Sequence, residues 1–507
     1  MAITEQKLAS FIAEFPTSRI PPEILHIGKR LLLNNVGVAL YAANDPDINR
    51  LLTLFEEEGG KKRASVIGTG VRTTILNAAL ANGFLGHFED YDDTHLATVI
   101  HTASPIFPAA LASGEMLGVS GAAMLTAGVL GIEVACRIGL LIVPHFIGTG
   151  HQWHITNTCG VFGAAAASAR LLGLTQGQIE HALGLAGTQA MGIREVFGSM
   201  AKPFHAGKAA SNGLMASMLA KRDFTSISAG SPGILSGPRA FAATFAKGYD
   251  LATVTAGLGE TWELPNVAIK PHACGQANHA LLDSITTLKT RPGVTPDAIE
   301  SIHGSVYHTA PNIVDRRHPT KGLEGKFSYH HTMTNILLHG NCYPQQFTDA
   351  KVNDPRAIAL RDRITVVADT SVPKHAAKVT LTLKNGQSYT VLTPHSLGSP
   401  ENPLSDQQLE DKFRAIAEDV MPKAKVDRIL KALWSVEKLR SVGELAELFI
   451  QPVNLHAKKS SKKAAKKPAQ KPAKTGKATK ASKAAKAKKA VSRKPAKKPA
   501  KRKAARR

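Results

Sequence analysis

The sequence predicts a mainly α-helical protein with a second, α+β domain: an all-helical domain assembled from N- and C-terminal parts, a smaller α+β lid, and a disordered basic C-terminal tail. Three observations predict it. Up to about residue 265 apolar residues recur at helical spacing, from about residue 295 short β-rich runs take over, and beyond residue 456 Lys, Ala and Pro displace everything a core is made of. At 507 residues, 43% of them apolar, the chain is too long for one ordinary core and apolar enough for two. The expected divisions are residues 1–265 for the first part of the helical domain, 266–400 for the lid, 401–455 for the return to the helical domain, and 456–507 for the tail.

Each element has a local reason. Pro21-Pro22 opens a helix over residues 23–40, and Thr175-x-x-Gln178 is a capping box placing Ile179, Ala182, Leu183 and Ala186 on one helical face. Small-residue runs such as GAAAASA at 163–169 allow helices to approach closely. Residues 302–307, 363–368 and 379–383 read as strands, the last followed by Asn385-Gly386, a type I′ hairpin signal. Ser405-x-x-Gln408 caps an amphipathic helix with Leu409, Phe413, Ile416 and Val420 along one stripe, and helix continues to about Ile450.

Charge is confined to one end. Residues 456–507 hold 23 of the 63 Lys and Arg and no acid, leaving 40 basic against 39 acidic residues elsewhere. Lys-Pro-Ala recurs four times there, at 467–469, 471–473, 494–496 and 498–500, so the tail stays extended and attracts nucleic acid or other polyanions through counterion release. Glu5 breaks any N-terminal signal pattern, and Glu133 and Arg137 interrupt the apolar run at 122–143, so neither export nor membrane insertion is expected. Cys136, Cys159, Cys274 and Cys342 are far apart with no CxxC pair, which suits buried thiols in a reducing cytoplasm. Gly68-Thr69-Gly70 lacks the third glycine of a dinucleotide fingerprint.

Residues 81–103 carry the strongest chemical signal, with three Asp and three His set among Ala, Phe and Leu. Unpaired buried charge is costly, so such a cluster neutralises itself or faces a polar ligand. Asp90 and Thr94 stand one helical turn apart there, with His101 following, while Asp92 and Asp93 also suit helix capping. His154 lies in GHQWHITNTCG; its neighbour His151 has metal-ligand spacing to it, but no acid stands within a turn and no HExxH appears, so no metal is expected. Lys202 and Lys270 each precede a proline in Ala/Gly-rich surroundings, where an ammonium needs an anion. His205, His272 and His279 read as mainly structural.

Taken in order, ANGFLGHFEDYDDTH with His101, GHQWHITNTCGVFGAAAASARLLGL, KPFHAGKAA, Lys270 with Cys274 and His279, and GKFSYHHTMTNILLHG resemble the MmgE/PrpD family of 2-methylcitrate dehydratase and cis-aconitate decarboxylase, over about residues 5–450. The resemblance implies a homodimer without metal or other cofactor, a cleft lined by Asp90, Thr94, His101, His154, Lys202 and Lys270, and a rim including Ser328 and Tyr329. Two positions depart from it. Decarboxylase members have a histidine five residues after the second lysine, where this chain has Gly275, and many members have proline where this chain has Thr102.

The expectation is therefore a metal-independent hydro-lyase acting on a 2-methylcitrate-like hydroxy-polycarboxylate. Lys202 and Lys270 would hold the carboxylate and stabilise the charge developing beside it, and His101 and His154 would serve as base and acid. Asp90 would orient a histidine and Thr94 would hydrogen-bond substrate. Decarboxylation or isomerisation of a cis-aconitate-like acid uses the same cradle and is the first alternative; a DNA-associated protein acting through its tail is the second.

Overall fold

The structure, a computed structural model, describes residues 4–146, 152–227 and 231–451. The expectations placed on His151 and on the tail at 456–507 fall outside these residues.

Helices dominate the first half, and glycine decides how near they come. The helix Pro22–Ala42 starts with proline at its first turn, where a missing N–H costs nothing, and buries Leu31, Leu32, Leu33 and Leu40. The helix Asp406–Ala417, opened by the expected Ser405 capping box, lies against it so closely that a Cβ on Gly37 would stand 2.6 Å from the Phe413 ring. The C-terminal segment thus returns to the helical body. Similarly, a Cβ on Gly207 in Ala201–Ala220 would stand 2.3 Å from the Leu80 carbonyl oxygen of Ile75–Phe88. That contact brings Lys202, just over one turn before Gly207, alongside the end of the second helix.

Among the described residues one helical stretch, Gly121–His145, is long and apolar enough to cross a membrane, but 89% of its most apolar window is buried inside the fold. Its two charges are internal: Arg137 Nε donates to Glu133 at 2.6 Å, and the guanidinium also donates to the carbonyls of Ala256 and Thr261. All four cysteines are buried.

Among the described residues, two short antiparallel pairs and one four-stranded sheet join the helices. β1 (Ala64–Ser65) pairs with β2 (Arg72–Thr73), and β3 (Asp93–His95) pairs with β4 (Val267–Ile269) with Thr94 opposite Ala268. In the sheet the order is β6 (Ile364–Asp369), β5 (Ile299–Tyr307), β7 (Ala377–Leu383), β8 (Ser388–Thr393), with β5 and β6 parallel and the other neighbours antiparallel. One face of β7 is buried through Ala377, Val379, Leu381 and Leu383, which join Leu281, Ile285, Met333 and Ile336 in a second apolar core. Val267 and Ile269 belong to the helical core and Leu397 packs against it, while Val38, Tyr91 and Ile416 from the helical segments join the lid's core, so the two cores interleave across the 266–400 boundaries read from sequence.

The hairpin after β7 corrects the type I′ expectation. Positive φ falls on Gly386 alone (+87°), Gly386 N–H donates to Leu383 C=O at 2.8 Å, and Leu383 N–H donates to Gln387 C=O. This is a longer loop closed by a glycine bulge, held by the Asn385 side chain accepting from Gln387 N–H.

Candidate active site

The chain leaves helix just where the acidic cluster begins. Ile75–Phe88 ends, Asp90 takes the left-handed conformation at φ +51°, and Asp93 starts β3. Asp90 and Thr94 therefore share a wall through a turn and a strand, not through the helical spacing read from sequence. Asp93 caps the next helix, accepting from Thr102 N–H (2.7 Å), Thr102 Oγ1 (2.5 Å) and Ala103 N–H (3.1 Å). A proline at 102 would lack the first of these donors.

Asp90 is the hub. Its Oδ1 accepts from Lys202 Nζ at 2.6 Å and from Lys270 Nζ at 2.9 Å, and all three side chains are buried. Burial works to raise the Asp90 carboxyl, but the two ammonium groups outweigh it and hold it well below the usual carboxylate range. Burial lowers Lys202 despite Asp90, whereas for Lys270 burial is outweighed by Asp90 and Asp92 together and the ammonium is raised. Lys202 also faces the rings of Phe197 and Phe327 at 5.2 and 5.3 Å.

Three imidazoles adjoin this hub. His101 Nδ1 lies 2.7 Å from the Asp93 carbonyl, which can only accept, so Nδ1 carries the proton and Nε2 is left as the reactive nitrogen. Asp92 supports both neighbours, with Oδ1 3.3 Å from His101 Nδ1 and Oδ2 2.6 Å from His87 Nδ1, and accepts from Ser104. Burial drives His87 down to about 3. Burial, then the charges of His87, Lys202 and His101, hold His154 well below the usual imidazole range, so it is neutral near pH 7. Its Nδ1 pairs with His205 Nδ1 at 3.0 Å, while His154 Nε2 and Asp90 Oδ2 are buried without a hydrogen bond. Such unsatisfied atoms beside a cavity are positioned for a ligand.

That cavity has a volume of about 540 Å³, large enough for a small polycarboxylate, and is walled by both parts of the protein. The helical side supplies Asp90, Thr94, His101, His154, Phe197 and Lys202; the lid supplies Gly275, Tyr307, Phe327, Lys374 and His375. Its charged lining among the described residues is Arg194, Lys202 and Lys374 against Asp90. A cavity of that balance selects anions. One ring nitrogen each from His87, His101 and His154 also lie within 4.8 Å of one another, the donor set of a three-histidine metal site, but the Lys202 charge acting on His87 and His154 opposes a cation there.

The MmgE/PrpD N-terminal domain matches residues 6–253 and the MmgE/PrpD C-terminal domain matches residues 272–436. The chain belongs to the MmgE/PrpD family. A cis-aconitate decarboxylase of Aspergillus terreus is 28% identical over 477 residues, spanning 88% of this chain and 96% of the relative. The cis-aconitate decarboxylase-like protein oryM of Aspergillus oryzae is 26% identical over 87% of this chain and 96% of its own length. The Homo sapiens cis-aconitate decarboxylase is 25% identical over 89% of this chain and 95% of its own length. The relatives named cis-aconitate decarboxylase are lyases, and the family includes enzymes.

Within this MmgE/PrpD chain, five of the eight residues singled out from sequence, Asp90, Thr94, His101, His154 and Lys202, line the cavity. Lys270 does not. It is fully buried behind Asp90, donating to Asp90 Oδ1 and to the Asp90 carbonyl at 3.1 Å, so it holds the hub in place where a substrate clamp was expected. Ser328 and Tyr329 also leave the expected rim. Ser328 turns inward to cap Tyr329–His339, accepting from His331 N–H, and Tyr329 is packed in the lid core; Phe327, one residue earlier, is the one that reaches the cavity. Sequence reading missed His87, Asp92 in its supporting role, and Lys326, which donates to the Glu89 carboxylate and carbonyl across the two parts. Lys412 was missed as well: it is buried, forms no ion pair among the described residues, and donates to Asn34 Oδ1 at 2.6 Å and to the carbonyls of Tyr91 and Lys270, each at 2.7 Å. His87 and Lys326 lay inside recognisable motifs; the amphipathic stripe containing Lys412 gave no sign of it.

Proposed function

We propose that the protein is a metal-independent lyase that decarboxylates an unsaturated tricarboxylate of the cis-aconitate class. The carrying observation is the pairing of an anion-selecting cavity with neutral or proton-bearing imidazoles beside a buried ammonium. The relatives named cis-aconitate decarboxylase move the reading from water loss, expected from sequence, to loss of carbon dioxide.

In such a substrate the carboxylate to be lost is attached to a carbon next to the double bond. Breaking that carbon–carbon bond releases carbon dioxide, and the electron pair shifts through the double bond to the carbon beside a remaining carboxylate. Negative charge accumulates there. Lys202, lining the cavity with its charge only partly spent on Asp90, stabilises it. His101, entering the step as an imidazolium with Nδ1–H held by the Asp93 carbonyl and Asp92 as counter-charge, gives its Nε2 proton to that carbon and is left neutral, which restores a neutral carbon skeleton and shifts the double bond to the terminal position. Thr94, whose Oγ1 lies 3.3 Å from His101 Nδ1, orients the ring. His154, neutral, hydrogen-bonds substrate through its unpartnered Nε2.

Dehydration of a 2-methylcitrate-like acid is kept as the second reading by Gly275. A Cβ there would meet Val314 Cγ1 at 2.6 Å, so this wall is shaped without the histidine of decarboxylase members. Incubation with cis-aconitate, followed by trapped carbon dioxide, and with 2-methylcitrate, followed by absorbance of the new double bond, separates the two. Replacing His101 by Gln should lower turnover by about 10²–10⁴ on the true substrate. Release of carbon dioxide from cis-aconitate at a wild-type rate by that variant overturns the assignment. We further propose a cytoplasmic homodimer whose residues 456–507 bind polyanions and take no part in the chemistry.

A further inference from the structure

We infer that Lys374 and His375 of the lid form a second carboxylate subsite that selects a tricarboxylate over a dicarboxylate. The inference rests on the polycarboxylate reading and adds where the outer carboxylate binds. Strand register sets the place. Tyr307 at the end of β5 stands beside Asp369 at the end of β6, and Val306 stands opposite Ala377 at the start of β7, so the β6–β7 connection crosses the same end of the sheet. Val306 and Tyr307 line the cavity, and so do Lys374, His375 and Ala376 from that connection.

The connection is held at both ends. Asp369 Oδ1 accepts from Ser371 N–H at 2.8 Å and Oγ at 2.7 Å, and Ala376 N–H donates to Pro373 C=O at 3.1 Å, closing a tight turn. In that turn His375 takes φ +70°, at the position glycine or asparagine ordinarily fills. A strained residue with a Cβ, set against a ligand cavity, points to a side chain retained for what it touches. Beside it, Lys374 makes no hydrogen bond or ion pair among the described residues, so its ammonium is uncommitted. From the helical side Lys202, engaged by Asp90, lines the same cavity with the reactive histidines. A tricarboxylate, whose outer carboxylates stand one carbon further apart than those of butanedioate, reaches Lys202 at the reacting end and Lys374 on the lid, whereas the shorter dicarboxylate engages the reacting end alone.

Isothermal titration of the full chain with propane-1,2,3-tricarboxylate, which has no double bond to react, and with butanedioate tests this. The tail is common to all variants, so its own anion binding cancels. Lys374→Ala and His375→Gly should each weaken the tricarboxylate by about three- to tenfold and leave butanedioate within about twofold. His375→Gly should also melt no lower than wild type, because glycine relieves the turn while the ligand contact is lost. Equal weakening of both acids, or undiminished tricarboxylate binding in both variants, overturns the subsite. Wild-type protein that binds neither acid overturns the polycarboxylate reading and the subsite together.

Discussion

Asp90→Asn removes the carboxylate that two buried ammonium groups share. Taking one partner from a buried ion pair typically costs about 3–5 kcal/mol, because the remaining charge stays out of water. Asp90 and Lys202 side chains are 4% and 5% exposed and Lys270 is fully buried, so solvent offsets little. Lys270 keeps Asp92 at 3.5 Å, which places the expected loss at the lower end, about 3 kcal/mol. Urea unfolding at pH 7 and pH 9.5 reads it. With Asp90 present burial already holds Lys202 below its usual range, and without it the folded-state value falls further. A lysine lowered on folding is destabilising at neutral pH, and that penalty fades as pH rises toward its unfolded value of about 10.4, so the gap to wild type should narrow at pH 9.5. On the acid side wild type should lose the Asp90 contribution, present above about pH 4, as pH falls through its depressed folded value, and the variant should not. A variant as stable as wild type at pH 7, or a gap unchanged between pH 7 and 9.5, refutes Asp90 as the shared counter-charge.

Burial lowers His87 and His331 each to about 3, below the unfolded histidine value, so their stabilisation is full above about pH 6.5 and is lost as pH falls toward 3. Each contributes a slope of about 1.4 kcal/mol per pH unit in that window, and unfolding free energies that stay level from pH 6.5 to 4.5 would contradict it. Gly207→Ala should destabilise by about 1–3 kcal/mol and depress turnover, since the new methyl forces the Lys202 helix away from Leu80; differential scanning calorimetry with kcat on the same preparation checks both. Deleting residues 456–507 should abolish retention on heparin at low salt and leave kcat unchanged, and a truncated protein retained as strongly as wild type places the polyanion site elsewhere.

Several features were legible because their causes are local. The capping boxes at Thr175 and Ser405 form as read, since side chain and backbone three residues apart complete them. The first lysine and both histidines of the proposed chemistry were found because polar residues amid Ala and Gly stand out against a core pattern. Misreadings came where local pattern and tertiary contact compete. Asp90 and Thr94 have helical spacing, but pairing of β3 with β4 pulls the segment into a strand. Ser328 was placed on a rim by resemblance, but a serine before a helix first satisfies that helix's free N–H groups.

By itself the sequence determined the helical and α+β composition, the confinement of surplus charge to the tail, and the chemical vocabulary of the site, because periodicity, charge and residue type need no third dimension. Tertiary structure alone decided which lysine meets the cavity. Lys202 and Lys270 are alike in sequence, each followed by proline, yet the Gly207–Leu80 contact delivers one to the cavity wall while β4 carries the other behind Asp90. Convergence of groups 112 and 180 residues from Asp90 depends on how helices and strands pack, and no local pattern encodes it.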